Sequence, residues 1–168
     1  MNKSIIWTVV LCILAGILQS TVLEKIALYG AIPDIALCIL IFSAYVNGTM
    51  TGQVGGFFSG LFLDFFSVAP LGLNCLIRTI IGAVTGLFKG TFFLDKIFLP
   101  AILCALGTII KAIILFILHL VSGRLIPAYP FLSPVFWVEL GMNTIIAPLL
   151  FIILIRLPFL RPPKWSNK

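Results

Sequence analysis

Apolar positions run almost without a break through residues 5–23, 33–47, 51–68, 72–89, 97–121 and 134–155, and turn-forming residues separate the runs. The runs are continuous rather than alternating, so they predict helices and not barrel strands. In "YGAIPD", Pro33 suits the first turn of the second helix, where its missing N–H does no harm, and Asp34 sits at that helix's positive end. "VNGTMTG" and "VAPLGLN" carry the next two turns, and Pro100 can open the fifth helix. The third and fourth runs are the short ones.

Composition decides what solvent these helices meet. Of 168 residues, 61% are hydrophobic and 10% charged, with a mean hydropathy of +1.24. A soluble domain of this size cannot bury so much apolar surface. A membrane span needs about 20 apolar residues, so the pattern predicts an all-α polytopic bundle of six transmembrane helices, with residues 1–168 as a single transmembrane domain. Lys3 followed by the apolar core Ile5–Leu18 has the outline of a secretion signal, but "AGILQSTVLEK" offers no A-x-A site, so an uncleaved first span is expected.

The net charge of +6 comes from scattered basic residues, which excludes a nucleic-acid face and points to topology. With the N-terminus inside, Lys3, Lys89, Lys96, Arg156, Arg161, Lys164 and Lys168 gather on the cytoplasmic side, against Lys25 and Arg124 outside. Both termini are therefore expected in the cytoplasm. Trp7, Tyr45 and Trp165 would form the inner aromatic belt, and Tyr29, Tyr129 and Trp137 the outer one. Cys12, Cys38, Cys75 and Cys104 each lie inside an apolar run without C-x-x-C spacing, as small buried residues do.

Two stripes of glycine stand out. Gly48, Gly52, Gly56 and Gly60 step by four to Asp64, and Arg78 steps by four to Gly82, Gly86 and Gly90. A step of four nearly returns to the same helix face. Folded as a hairpin about Leu71, the stripes bring Asp64 level with Arg78, Gly60 with Gly82, Gly56 with Gly86 and Gly52 with Gly90. Small residues permit the close backbone approach on which membrane helix pairs depend, and an Asp–Arg pair relieves the cost of two charges below the surface. The expectation is a packed hairpin closed by an Asp64–Arg78 pair, with Arg78 snorkelling to headgroups as the alternative.

Other polar residues lie deep in spans. Lys111 falls mid-way along the fifth, and Glu139 and Asn143 share a face of the sixth at i, i+4, either being a possible partner for it; a water-filled cavity or a snorkelling stem are the alternatives. His119 is read as interfacial packing, and Gln19, Ser20 and Thr21 as a polar cluster ending the first helix. The segment "SGRLIPAYPFLSPVFW" is the longest outer loop and a candidate docking flap. The chain carries no P-loop, H-E-x-x-H or G-x-S-x-G motif and no cluster with metal-ligand spacing, so neither catalysis nor a cofactor is expected.

"LQSTVL", "IPDIAL", "NGTMTGQVGGFFSGLFLD" and "PLGLNCLIRTIIGAVTG" together resemble the MreD family of rod shape-determining membrane proteins, over about the first 90 residues in order. The matching positions include Gln19, Pro33, Asp34, Gly48, Phe57, Leu61, Gly72 and Leu73, and the G-F-x-x-G-L-x-x-D run ending at Asp64 belongs to the family's pattern. The resemblance implies a bacterial inner-membrane component of the elongation machinery, without catalytic activity or cofactor. It implies MreC as partner, with RodA and a class B penicillin-binding protein in lateral peptidoglycan synthesis, and an indirect link to MreB. It also implies a fold like the six-helix substrate-binding subunits of energy-coupling-factor vitamin transporters. Two other functions compete: a vitamin-binding transporter subunit, for which the first helix offers only Ala15-Gly16 as a small-residue face, and a flippase or ion pathway built on Lys111 and Glu139.

Overall fold

The computed structural model describes residues 3–67, 69–91, 97–123, 126, 131 and 133–160, apart from the side chains of residues 24 and 26. Six α-helices follow one another: α1 (Lys3–Thr21), α2 (Ile35–Asn47), α3 (Thr49–Phe66), α4 (Leu73–Leu87), α5 (Phe98–Ser122) and α6 (Pro134–Leu154). Short 3-10 turns cover Leu23–Ile26 and Pro158–Leu160. Among the described residues there is no β-strand, only the single bridge between Leu28 and Ala31. The Tyr129 and Trp165 belt positions, the cations Lys96, Arg124, Arg161, Lys164 and Lys168, and residues 124, 125, 127–130 and 132 of the expected docking flap lie outside the described residues.

The six runs become six helices with ends shifted by a few residues, but they are not six equivalent spans. Among the described residues, three helices are long and apolar enough to cross a membrane: α1, α5 and α6. The central helix is α2, only 13 residues and so about 20 Å long. All of it except Ile35 and Asn47 is buried, because α1, α3, α4, α5 and α6 all pack against it. Uniform hydrophobicity in a short helix marks burial on every side. Tyr45 shows the consequence: it is 2% exposed inside the bundle and does not join an interfacial belt. Trp7 and Trp137 are exposed, at 41% and 61%.

Neighbouring helices run antiparallel, and α2 passes into α3 through one residue. Gly48 makes this turn at φ 100°, its N–H donating to the Ala44 carbonyl at 2.7 Å. Few side chains tolerate that conformation. Lys89, just beyond α4, donates to the Asn47 carbonyl at 2.9 Å and so covers the negative end of α2.

The α3–α4 seam is closed by glycine, in a register two helical turns from the expected one. Gly52 abuts Gly82 instead of Gly90, Gly56 lies on the backbone of Arg78 and Thr79, Gly60 on Asn74 and Cys75, and Gly86 on Gly48 and Thr49. A Cβ on Gly52, Gly56, Gly60, Gly82 or Gly86 would overlap the facing backbone. Gly90 lies past the end of α4, in open space at φ 72°. The chain reverses over residues 67–72, earlier than a fold about Leu71 would have it.

That register removes Asp64 from Arg78 and places it beneath the start of α4. The Asp64 carboxylate, 1% exposed, accepts from the N–H groups of Gly72 at 3.0 Å, Asn74 at 2.9 Å and Cys75 at 3.1 Å, and from Asn74 Nδ2 at 3.0 Å. The first N–H groups of a helix have no intrahelical partner. Gly72, the N-cap residue of α4, supplies no side-chain cap. A carboxylate borrowed from α3 supplies it instead, satisfying donors that a helix start leaves open. The Asp64–Arg78 expectation is therefore wrong, for a physical reason: backbone donors outbid a side-chain cation two turns away.

Replacing Gly52 or Gly82 with Leu is expected to abolish a stable, monodisperse protein in detergent, whereas Gly141→Ala, where an added Cβ meets nothing within 4 Å, should leave thermal stability unchanged or raised by up to about 1 kcal/mol. Asp64→Ala should cost about 3 kcal/mol or more, since each stranded buried donor costs about 1–3 kcal/mol. The swap Asp64→Arg with Arg78→Asp should melt no higher than either single variant; rescue by the swap would restore the pair the register rules out.

Candidate functional site

The charges inside the bundle converge on Asp34. It precedes α2 as the N-cap, with Oδ1 accepting from the Leu37 N–H at 3.0 Å. Pro33 therefore stands just outside the helix rather than in its first turn. The same Oδ1 accepts from Arg78 Nη2 of α4 at 2.9 Å, and Oδ2 accepts from Lys111 Nζ of α5 at 3.1 Å. Lys111 also donates to Glu139 Oε1 of α6 at 2.6 Å. Two carboxylates and two cations thus alternate through one hub. Asp34, Arg78 and Glu139 are 5–6% exposed, and the Lys111 side chain 20%.

Neutral groups complete the hub. Asn143 Oδ1 accepts from the Asp34 N–H at 2.8 Å, and Asn143 Nδ2 donates to Thr108 Oγ1 at 2.9 Å. Thr108 in turn donates to the Cys104 carbonyl at 2.9 Å. From α1, Gln19 Oε1 accepts from the Ala36 N–H at 3.0 Å while its Nε2 donates to the Pro33 carbonyl at 3.2 Å and lies 3.5 Å from Asp34 Oδ1. The loop before α2 is thereby clasped by α1 and α6 together.

Electrostatics explains the arrangement. A lone charge at a helix centre in lipid costs about 2.5–3.5 kcal/mol on insertion scales. Here each charge meets an opposite one within hydrogen-bonding distance, and the four sum to zero. Asp34 has the further benefit of the positive end of α2. Such a hub adds little net stability over an apolar core, but it specifies which helix meets which and at what height.

Each expected polar residue has a definite place. Lys111 pairs with Glu139, and Asn143 lies one turn deeper, bonded to Thr108 and to the Asp34 backbone. Arg78 pairs with Asp34 and not with Asp64. Gln19, Pro33 and Asp34, which entered through family resemblance, belong to the hub; Gly48 and Gly72 make turns, Leu73 is buried, Leu61 is half-buried, and Phe57 faces outward at 45% exposure. Ser20 and Thr21 bond back to the Ile17 carbonyl, and His119 Nδ1 lies 2.7 Å from the Ile126 carbonyl oxygen. Thr108 went unrecognised because a threonine in an apolar helix carries no signal of its own. Asp34 as partner of Arg78 was available: once Asp64 is seen to precede a helix start, Asp34 and Glu139 are the acids left for the two buried cations.

Lys111→Met alone should destabilise the protein by about 3–5 kcal/mol, as removal of one member of a buried pair does. Adding Glu139→Leu to it should recover most of that loss in detergent unfolding experiments. Equal and additive losses from the two changes would show that the pair is not coupled.

Comparison with curated proteins gives no match, and comparison with solved structures gives none either, so the expected likeness to energy-coupling-factor subunits has no structural match behind it. The family model described as rod shape-determining protein MreD matches residues 1–157. That span takes in all six helices and every residue of the hub. On this match over nearly its whole length, the chain belongs to the MreD family of rod shape-determining membrane proteins.

Proposed function

We propose that the protein is a non-enzymatic scaffold of the bacterial cell-elongation machinery, seated in the inner membrane with six crossings and both termini in the cytoplasm. Its direct partner is the single-span protein MreC; through that contact it supports RodA and a class B penicillin-binding protein in lateral peptidoglycan synthesis, with MreB linked indirectly. The observation that carries this reading is the closed hub: the deep charges of α2, α4, α5 and α6 are spent on one another. What the long helices then turn outward is apolar, as on α5 with Leu106, Ile113, Phe116 and Leu120. A rigid body with an apolar exterior suits helix docking within a bilayer, where packing and not hydrophobicity drives association.

Topology has its own support. Among the described cations, Lys3, Lys89 and Arg156 lie at the Gly48 end of the bundle, and Lys25 at the hub end. The positive-inside bias puts the Gly48 end in the cytoplasm and the hub towards the outside. In this arrangement α2 crosses shielded by its neighbours, which is why so short a helix suffices.

Co-expression with MreC is the test. Wild type and Gly141→Ala should co-purify with it stoichiometrically and sustain rod shape, while membrane-inserted Gly56→Leu and Gly60→Leu should lose at least about 90% of the bound partner, a tenfold weakening or more. Undiminished capture of MreC by an inserted Gly56→Leu chain would remove the rigid hairpin from the explanation.

A further inference from the structure

Among the described residues, one buried side-chain polar atom has no hydrogen-bond partner, and it belongs to the hub. Arg78 Nη2 is held by Asp34, but Arg78 Nη1 is buried and has no hydrogen-bond partner. A buried guanidinium nitrogen without an acceptor is costly and calls for an explanation. Arg78 also lines a pocket of about 210 Å³ between the ends of α1 and α3 and the start of α4. The rest of that pocket combines hydrocarbon from Ile17 of α1 and Phe62, Leu63 and Phe66 of α3 with the polar side chains of Gln19, Ser20, Ser67 and Asn74. Phe62 and Phe66 lie with ring centroids 4.8 Å apart, and Phe66 remains 64% exposed.

We propose that this pocket binds the phosphodiester of a phospholipid, with a phosphate oxygen accepting from Arg78 Nη1 and the acyl chains lying along Phe62 and Phe66. Two physical points select this chemistry. A guanidinium bonds phosphate oxygens through charge-assisted hydrogen bonds, and Nη1 offers that bond without releasing Asp34. Arg78 lies five residues into α4, about 7–8 Å from the helix end, which is the depth at which headgroup phosphates give way to acyl chains.

The site is separate from capture of MreC and is read out on the protein alone, so either reading can fail without the other. The full-length protein in detergent is incubated with phosphatidylglycerol, with diacylglycerol of the same chains, or with glycerol 3-phosphate, and the retained molecules are counted by native mass spectrometry. Wild type should retain phosphatidylglycerol at least about tenfold over the other two. Arg78→Lys keeps the charge facing Asp34 but removes Nη1, and Ser20→Trp fills the rim without touching the hub; each should lower retention about tenfold. Equal retention of diacylglycerol shows that no phosphate is read, and equal binding of glycerol 3-phosphate shows that no lipid is. Either result overturns the proposal, as does wild-type retention by a folded Arg78→Lys or, should that variant fail to fold, by Ser20→Trp.

Discussion

The carboxylate of Asp34 is where the bundle is tied together. It caps α2, receives Arg78 from α4 and shares Lys111 of α5 with Glu139 of α6, while Gln19 of α1 clasps the loop that carries it. In lipid, apolar side chains are equally content against a neighbour or against acyl chains, so hydrophobicity cannot decide which helices meet. Charge can. Separating any one of these partners strands an ion in a medium that cannot solvate it. The helices are thus held in one arrangement more by the penalty for leaving it than by any large gain on forming it.

Two further devices allow that hub to exist. The glycine seam brings α3 and α4 so close that backbone meets backbone, and this fixes the height of Arg78 against Asp34. Asp64 then secures the turn between the two helices by satisfying the free donors of α4. The order of dependence is clear: Gly72 and the short reversal set the register, the register sets Asp64 under α4, and Arg78 is left facing α2. Central α2, enclosed by five helices, has no freedom to shift once its cap is engaged.

For a shape-determining membrane protein, such construction makes sense as a fixed body. Its interior uses its charge for internal order, and its exterior carries exposed apolar side chains along the long helices. The pocket beside Arg78 is the place where that economy is incomplete, and it opens on the side where α1, α3 and α4 meet.

Much of this was legible along the chain. Six apolar runs make six helices because the backbone in lipid must satisfy its own hydrogen bonds, and helices do so locally. The four-residue glycine steps announce a tight seam for an equally local reason, since the step nearly equals a helical turn. Depth alone offered Glu139 or Asn143 as partner for Lys111, and the structure pairs it with Glu139. Register was not legible: a glycine stripe is self-similar, so sliding it by one or two turns still sets small residues against small residues, as the pairing of Gly52 with Gly82 rather than Gly90 shows. Nor did the stripe fix the partner of Arg78, because Asp34 and Asp64 both serve helix starts and the register decides which of them Arg78 meets. Periodicity along one helix comes from short-range geometry and is written in the sequence; the height of one helix against another, and the pairing of charges that follows, is settled only when all six compete for the same few partners.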